Sequence, residues 1–238
     1  MAAGNCANLL EFLQLVGKLK NIKRTGWVLC HVEDPERIAG HMYRMGIMTF
    51  LLDDDKSFDK VRCLKLALVH DLAECIVGDI TPCCGVAPEE KHRREDNAMQ
   101  ELAQLAGSCG TELYCLYKEY EEQKTPEAKL VKELDRFDMI LQAFEYETVE
   151  SRPHGLQEFF DSTAVCVALS FLRRSVLEIE CASSTTCKGR KIPTQLRPLK
   201  ERAVGPISII PAAGMRALHT FLQPGGQPPT LHGQEVPA

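Results

Sequence analysis

The feature that most constrains this chain is a group of ionisable side chains inside one largely apolar segment, residues 68–79. His70 and Asp71 are adjacent there, and Glu74 and Asp79 follow closely. Charged side chains are rarely buried without a partner, and burial of an unpaired carboxylate is strongly unfavourable. The fold must therefore supply these groups with one another or with a cation.

Two further residues extend this group into a set of metal-ligand type. His41 lies on an apolar stripe upstream, and Asp135 lies on a periodic segment downstream. Two imidazoles and two carboxylates suit Mn²⁺, Co²⁺, Mg²⁺, Fe²⁺ or Zn²⁺ and leave coordination positions open, which is typical of a catalytic site. Spacing does not choose between Asp135 and Asp138, because Asp138 lies nearer the apolar face around Leu134 at about 100° per residue.

The apolar periodicity predicts an all-α structure, since no segment before residue 160 alternates with the period of a strand. We expect Asp34 to cap one of the helices, with Pro35 as its first residue, and Gly78 to end the next. Thr125, Pro126 and Glu127 form the expected start of the last helix. The predicted helices are 9–19, 35–52, 58–77, 91–106, 113–123 and 125–144, with loops at 21–32 and 80–88.

The composition changes near residue 164. The segment 182–238 is rich in Pro, Gly, Ser, Thr and Gln, and its apolar residues have no sustained period. Such a segment buries too little apolar surface to offset its chain entropy. We therefore predict a domain at residues 8–164 and a mainly disordered tail at residues 165–238.

Charge and hydropathy exclude several classes of protein. The net charge of −5 over 238 residues argues against non-specific binding to nucleic acid or to acidic membranes. The apolar stretches are shorter than the roughly 20 residues that span a bilayer, and the first residues lack the features of a secretory signal. The 11 cysteines show no paired Cys-x-x-Cys spacing, so we expect reduced thiols and a cytosolic or nuclear protein.

Several motifs resemble the HD-domain phosphohydrolase superfamily, whose metal ligands follow the pattern H…HD…D. The resemblance is closest to its 5′-deoxynucleotidase family and covers roughly residues 8–164. It implies an HD-domain helical bundle and a homodimeric enzyme that removes phosphate from deoxyribonucleoside 5′-monophosphates with a divalent metal. The motifs that carry it are Arg24-Thr-Gly-Trp27, His41-Met-Tyr-Arg-Met45, residues 68–80, residues 89–95 and Asp161-Ser-Thr-Ala164.

The resemblance also assigns roles to individual residues, and it is the resemblance that selects Asp135 over Asp138. Glu74 matches a catalytic carboxylate that positions or deprotonates the attacking water. Asp79 matches a second acidic residue near the 5′-oxygen, either a general acid or a ligand of a second metal. The implied metal-binding residues are His41, His70, Asp71, Glu74, Asp79, Ile80 through its carbonyl, and Asp135.

Two residues are candidates for binding the substrate. Arg24 would neutralise phosphate charge through paired hydrogen bonds, and Trp27 would offer its ring to the sugar or base. An ordinary surface arginine and a core tryptophan are the alternatives for this pair.

Other functions remain open at this point. One alternative is a different HD phosphohydrolase reaction, such as pyrophosphate or cyclic-phosphate cleavage. The other is a catalytically impaired variant that binds metal and acts as a dimerisation partner.

Overall fold

The computed structural model describes residues 3–52 and 58–162, with side chains from residue 6 onward. These residues all lie in the first of the two units into which the chain divides, residues 1–192. Their regular structure is helical, which confirms the all-α class, apart from one isolated bridge between Lys23 and Arg37. The α-helices are α1 (Ala3–Gly17), α2 (Thr25–Leu29), α3 (Ile38–Phe50), α4 (Lys60–Val69), α5 (Glu74–Val77), α6 (Pro88–Ala106), α7 (Gly110–Glu122), α8 (Pro126–Val149) and α9 (Gln157–Ser162).

The core lies where α3, α4 and α8 pack against one another. Helix α7 packs on α4, α6 and α8, and α6 also contacts α1. Met45 of α3, Leu66 of α4, and Leu134 and Ile140 of α8 are fully buried in this core. Because the long helices α3 and α8 both face it, polar residues on their inner sides meet in the interior.

The start of α8 follows the predicted signal. The Thr125 hydroxyl accepts a hydrogen bond from the Ala128 amide at 3.1 Å, Pro126 is the first helical residue, and Glu127 lies in the first turn. A capping hydroxyl satisfies one of the free amides of the first turn, and an acidic side chain there favours the helix dipole.

The predicted start of α3 at Asp34 and Pro35 is wrong, because the helix begins at Ile38. The preceding residues pair instead with residues 22–24: the Arg24 amide donates to the Glu36 carbonyl at 3.0 Å, and the Ile38 amide donates to the Ile22 carbonyl at 3.1 Å. Asp34 caps no helix, and its carboxylate accepts a hydrogen bond from Arg37 at 2.7 Å.

The segment 21–32, expected to be a loop, contains the short helix α2. Trp27 holds this helix to the core, since its ring is 1% exposed. The ring lies 4.4 Å from the Phe159 ring and 5.4 Å from the Tyr146 ring, measured between centroids. These contacts are distant in sequence, so local periodicity did not reveal the helix.

The single helix predicted over 58–77 is interrupted after Val69. Hydrogen bonds of the tighter i→i−3 type follow, from the Leu72 amide to Val69 and from the Glu74 amide to Asp71. The helical structure resumes as α5. This helix ends at Gly78, as predicted, and the Gly78 φ of +76° lies in the left-handed region that glycine tolerates. His70 and Asp71 therefore occupy a turn between two helices rather than the face of one.

The predicted tail, residues 165–238, lies outside the described residues. Within the described part of the chain, no helix combines the length and apolar character needed to cross a membrane.

Candidate metal centre and active site

Two buried histidines form the centre of the candidate site. His41 projects from α3 and is fully buried, while His70 follows α4 and is 4% exposed. The Nε2 atom of His70 lies 3.2 Å from Asp71 Oδ2, and that of His41 lies 3.7 Å from the same oxygen. The His41 Nε2 atom is also 3.2 Å from Asp135 Oδ1. The fold therefore brings together the two histidines and two aspartates proposed from the sequence.

Both imidazoles are held through their Nδ1 atoms. His41 Nδ1 lies 2.7 Å from Asp138 Oδ2, and His70 Nδ1 lies 3.0 Å from the Ala67 carbonyl. Because a carboxylate and a carbonyl can only accept, each Nδ1 donates its proton, which leaves Nε2 as the ring nitrogen that can bind a cation. Metal-binding histidines are commonly oriented by such a hydrogen bond.

The two Nε2 atoms make no hydrogen bond within the described residues, although both are buried. Buried polar atoms are nearly always hydrogen-bonded. The two buried ring nitrogens converge with Asp71 on a position that a divalent cation fits, and His41, His70 and Asp71 can together hold one.

The electrostatics of the cluster also favour a positive charge. Burial and the Arg24 charge lower the pKa of His41, but the carboxylates of Asp135 and Asp138 outweigh them and raise it to about 9. Burial raises the pKa of Asp71, but the neighbouring His70 and His41 reverse this and hold it well below the ordinary value. The carboxylates are thus stabilised in the charged form and draw positive charge to the site, either a proton on His41 Nε2 or a cation that replaces it.

Asp135 and Asp138, which helix spacing did not distinguish, flank the His41 ring on opposite sides. Asp135 faces Nε2, while Asp138 is fully buried and faces Nδ1. Arg44 donates to the Asp138 carboxylate and is itself paired with Glu145 at 2.8 Å. Asp138 therefore orients a candidate ligand rather than lying on the ligand side of the ring.

Glu74 begins α5 and is 5% exposed, and its Oε2 atom has no hydrogen-bond partner among the described residues. Burial, followed by the charges of Asp71 and Asp79, raises its pKa well above the ordinary value. A carboxyl group in this position changes its charge readily when a cation arrives nearby.

Asp79 ties the end of the α5 segment to the start of α2. Its Oδ2 atom accepts a hydrogen bond from the Thr25 amide at 2.6 Å, and its carbonyl accepts one from the Thr25 hydroxyl at 2.8 Å. This places the adjacent Arg24 beside the cluster, with a guanidinium nitrogen 3.4 Å from Asp71 Oδ2. Ile80, which follows Asp79, is buried with 8% exposure.

The Trp27 ring is buried in the core and is not available to stack on a ligand. Besides its burial, its Nε1 donates to Glu36 at 3.0 Å, and Glu36 lies 3.7 Å from the Arg24 guanidinium. This geometry favours the core alternative, in which Trp27 anchors the segment that carries Arg24.

Three residues at the site were not identified from the sequence. Tyr120 and Lys132 both donate to Asp135 Oδ2, at 2.9 and 2.8 Å. Arg44 pairs with Asp138. Lys132 lies three positions before Asp135, and Arg44 lies three positions after His41. This spacing places the side chains of each pair on one side of a helix. No local sequence pattern identifies Tyr120.

A second group that could hold a cation lies on α6 and α7 and comprises His92, Glu95 and Glu121. His92 is exposed, and the ammonium group of Lys91 lies 3.5 Å from the Glu95 carboxylate. A lysine already supplies positive charge here, so this group competes poorly with the histidine pair for a metal.

Comparisons with known proteins agree with one another. The HD domain family model matches residues 16–169 of the chain. The 5′-deoxynucleotidase HDDC2 of Xenopus laevis is 55% identical over 168 residues, which are 68% of this chain and 83% of that protein.

Solved structures agree with this match. A conserved hypothetical protein from Pyrococcus furiosus superposes with a TM-score of 0.59 at 31% identity, covering 72% of this chain and 98% of that chain. A protein described as a predicted metal-dependent phosphohydrolase, from Magnetospirillum magnetotacticum, has a TM-score of 0.60 at 26% identity, covering 75% of this chain and 95% of that chain. The helical bundle of the present chain is therefore found in proteins from distant organisms.

The contact between Asp138 and His41 predicts a specific loss of metal affinity. In Asp138→Asn, the charge that holds the Nδ1 proton is removed, and loss of such an orienting partner lowers metal affinity about 10- to 100-fold. Competition of the purified protein with a chromophoric chelator for Mn²⁺ measures this change.

The matched control is Glu145→Gln, which removes the same charge from the neighbourhood of Arg44 but has no contact with His41. We expect it to retain the wild-type affinity. Equal losses in the two variants, or none in either, would contradict an orienting role for Asp138.

Proposed function

The chain belongs to the HD domain family, and on this premise we propose that it is a metal-dependent 5′-deoxynucleotidase. Its reaction is hydrolysis of a deoxyribonucleoside 5′-monophosphate to the deoxyribonucleoside and phosphate. The observation that carries the proposal is the pair of buried Nε2 atoms of His41 and His70, without hydrogen-bond partners in the described structure and next to Asp71.

The proposed ligands of the first cation are His41, His70, Asp71 and Asp135. Mn²⁺, Co²⁺ and Mg²⁺ are the preferred candidates, and the mixed nitrogen and oxygen donors also accommodate Zn²⁺ or Fe²⁺. When bound, a divalent cation of this kind withdraws charge from a phosphoryl oxygen and lowers the pKa of a water molecule.

Glu74 is the proposed proton acceptor. The attacking water forms a bond to phosphorus while one of its protons passes to the Glu74 carboxylate. The bond between phosphorus and the 5′-oxygen breaks, and the 5′-oxygen takes up a proton from a general acid or from water. Burial at 5% exposure keeps the carboxylate away from bulk solvent. A bound divalent cation would supply the positive charge that favours the ionised form of Glu74, which is the form that accepts a proton.

Arg24 is the proposed phosphate-binding residue. Its side chain is 17% exposed and already faces the cluster through Asp71. A guanidinium group can donate two parallel hydrogen bonds to a phosphoryl group and stabilise the negative charge that develops in the transition state.

Asp79 stands near the leaving 5′-oxygen in this proposal, either as a general acid or as a ligand of a second cation with Glu74 and the Ile80 carbonyl. The Thr25 amide already donates a hydrogen bond to Asp79 Oδ2 at 2.6 Å, which holds the carboxylate beside the segment that carries Arg24.

The proposed compartment is the cytosol or the nucleus. The cysteines within the described residues are free thiols, which is typical of reducing compartments. Fractionation of cells that express the tagged chain tests this proposal.

We also propose that the protein is a homodimer. Apolar side chains on one side of α3 and on the adjacent α4 are 46–68% exposed: Tyr43, Ile47, Phe50, Leu51, Val61 and Leu68. Clustered exposure of large apolar side chains is typical of a protein–protein contact.

The central prediction concerns substrate and metal together. With Mn²⁺, Co²⁺ or Mg²⁺ we expect phosphate release from deoxyribonucleoside 5′-monophosphates and much less from the ribonucleotides, with complete loss after chelation and recovery on metal addition. Asp71→Ala should abolish the activity because it removes a proposed ligand, and Glu74→Gln should reduce it about 10²- to 10⁴-fold, the scale of one acid–base group.

Phosphate and pyrophosphate are quantified separately in this assay. Release of pyrophosphate, or turnover of cyclic nucleotides only, would favour another phosphohydrolase reaction. A folded protein that binds metal stoichiometrically but turns over no nucleotide would favour the impaired variant.

The dimer proposal predicts the effect of one charge on the exposed face of α3. Sedimentation velocity should show a dimer for the wild-type chain and a monomer for Ile47→Asp, because an unpaired carboxylate is costly to bury in an interface. Leu10→Asp on α1, where Leu10 is 58% exposed, serves as the control and should remain dimeric. A monomeric wild-type chain, or a dimeric Ile47→Asp, would contradict the proposal.

A further inference from the structure

The two oxygens of Asp135 have different surroundings. Oδ2 accepts hydrogen bonds from the Tyr120 hydroxyl at 2.9 Å and from Lys132 Nζ at 2.8 Å. Lys132 Nζ also donates to the Tyr120 hydroxyl oxygen at 3.1 Å, so the three groups form a closed triangle. Oδ1 instead lies 3.2 Å from His41 Nε2. One oxygen is thus held by donors, while the other faces the candidate metal centre.

The two donors reach Asp135 from different parts of the fold. Tyr120 belongs to α7, is 4% exposed, and has its ring centroid 4.9 Å from that of His70. Lys132 belongs to α8, and its ammonium group lies 5.2 Å from the centroid of the Tyr120 ring. Its side chain is 38% exposed, so it approaches the site from the solvent side. A rigid buried hydroxyl and a charged donor at the edge therefore restrain the same oxygen.

We propose that Lys132, together with Tyr120, is a positioning residue that makes Asp135 a ligand through one oxygen, Oδ1. A carboxylate with both oxygens available can bind a cation through either or both. Hydrogen bonds to a charged acceptor are strong and directional, and those on Oδ2 remove this freedom. The inference rests on the proposed metal centre but goes beyond it. It holds that two residues outside the ligand set determine how Asp135 coordinates the cation.

Lys132 has two opposing effects on the affinity for a cation. Its positive charge repels the cation, whereas its hydrogen bond orients the ligand. Water reaches more than a third of the side chain, and solvent of high dielectric constant weakens the repulsion. The hydrogen bond to Oδ2 is direct, so orientation outweighs repulsion.

The test is the affinity of the full-length chain for Mn²⁺, measured by competition with a chromophoric chelator. Lys132→Met keeps the length of the side chain but removes its donors and charge, and we expect affinity to fall about 10- to 100-fold. Lys132→Arg, which retains charge and donors, should restore most of the affinity. Tyr120→Phe should lose less than Lys132→Met because the charged Lys132, which makes the stronger hydrogen bond, still donates to Oδ2.

The matched control is Lys129→Met, which removes an exposed lysine one turn earlier on the same helix and should bind Mn²⁺ as the wild type does. Thermal unfolding in the presence of chelator, with the melting temperature of each variant within a few degrees of wild type, verifies that each variant is folded. Hydrolysis is followed in parallel as a function of Mn²⁺ concentration. The activity of Lys132→Met should recover at saturating Mn²⁺, with an unchanged KM for the nucleotide.

Wild-type or tighter Mn²⁺ binding by Lys132→Met would overturn the inference and leave the proposed metal centre intact. A loss of activity that persists at saturating Mn²⁺ with a raised KM would also overturn it, because Lys132 would then contact the substrate. Failure of the wild-type chain to bind Mn²⁺ would overturn the metal centre and this inference together.

Discussion

The rest of the structure depends on the need to balance buried negative charge where α3, α8 and the turn after α4 meet. Asp71 and Asp135 are 18% and 15% exposed at their side chains, and Glu74 is buried beside them. Such carboxylates are stable only with positive charge close by. Protein groups supply part of it through Arg24 and Lys132, and the two buried Nε2 atoms create a position for a cation. The packing of the long helices brings these groups together from distant parts of the sequence.

A second set of contacts holds the groups that face this centre. Asp138 orients His41 through Nδ1, and Thr25 ties Asp79 to the segment that carries Arg24. Trp27 fixes that segment to the core by packing against Phe159 and Tyr146. Site groups that are held in place before the ligand arrives lose little freedom on binding, which is how a rigid scaffold lowers a reaction barrier. The same arrangement makes α2 part of the site although it contributes no ligand.

The sequence predicted the features that depend on local pattern. Apolar periodicity identified the long helices, and placed His41 on a buried face. It did not identify α2, because five residues carry no period and the Trp27 contacts are distant in sequence. It also missed the break after Val69, where tighter i→i−3 hydrogen bonds replace the helical ones. Helix spacing could not choose between Asp135 and Asp138, for the physical reason that both contact His41, on opposite ring nitrogens.

Anomalous diffraction from crystals grown with Mn²⁺ would locate a bound cation directly. The proposed metal centre predicts a strong peak next to the Nε2 atoms of His41 and His70 and the carboxylate of Asp71. Of the two Asp135 oxygens, Oδ1 should contact this peak and Oδ2 should not. A peak only at the His92, Glu95 and Glu121 group, or none at the histidine pair, would contradict the proposed metal centre.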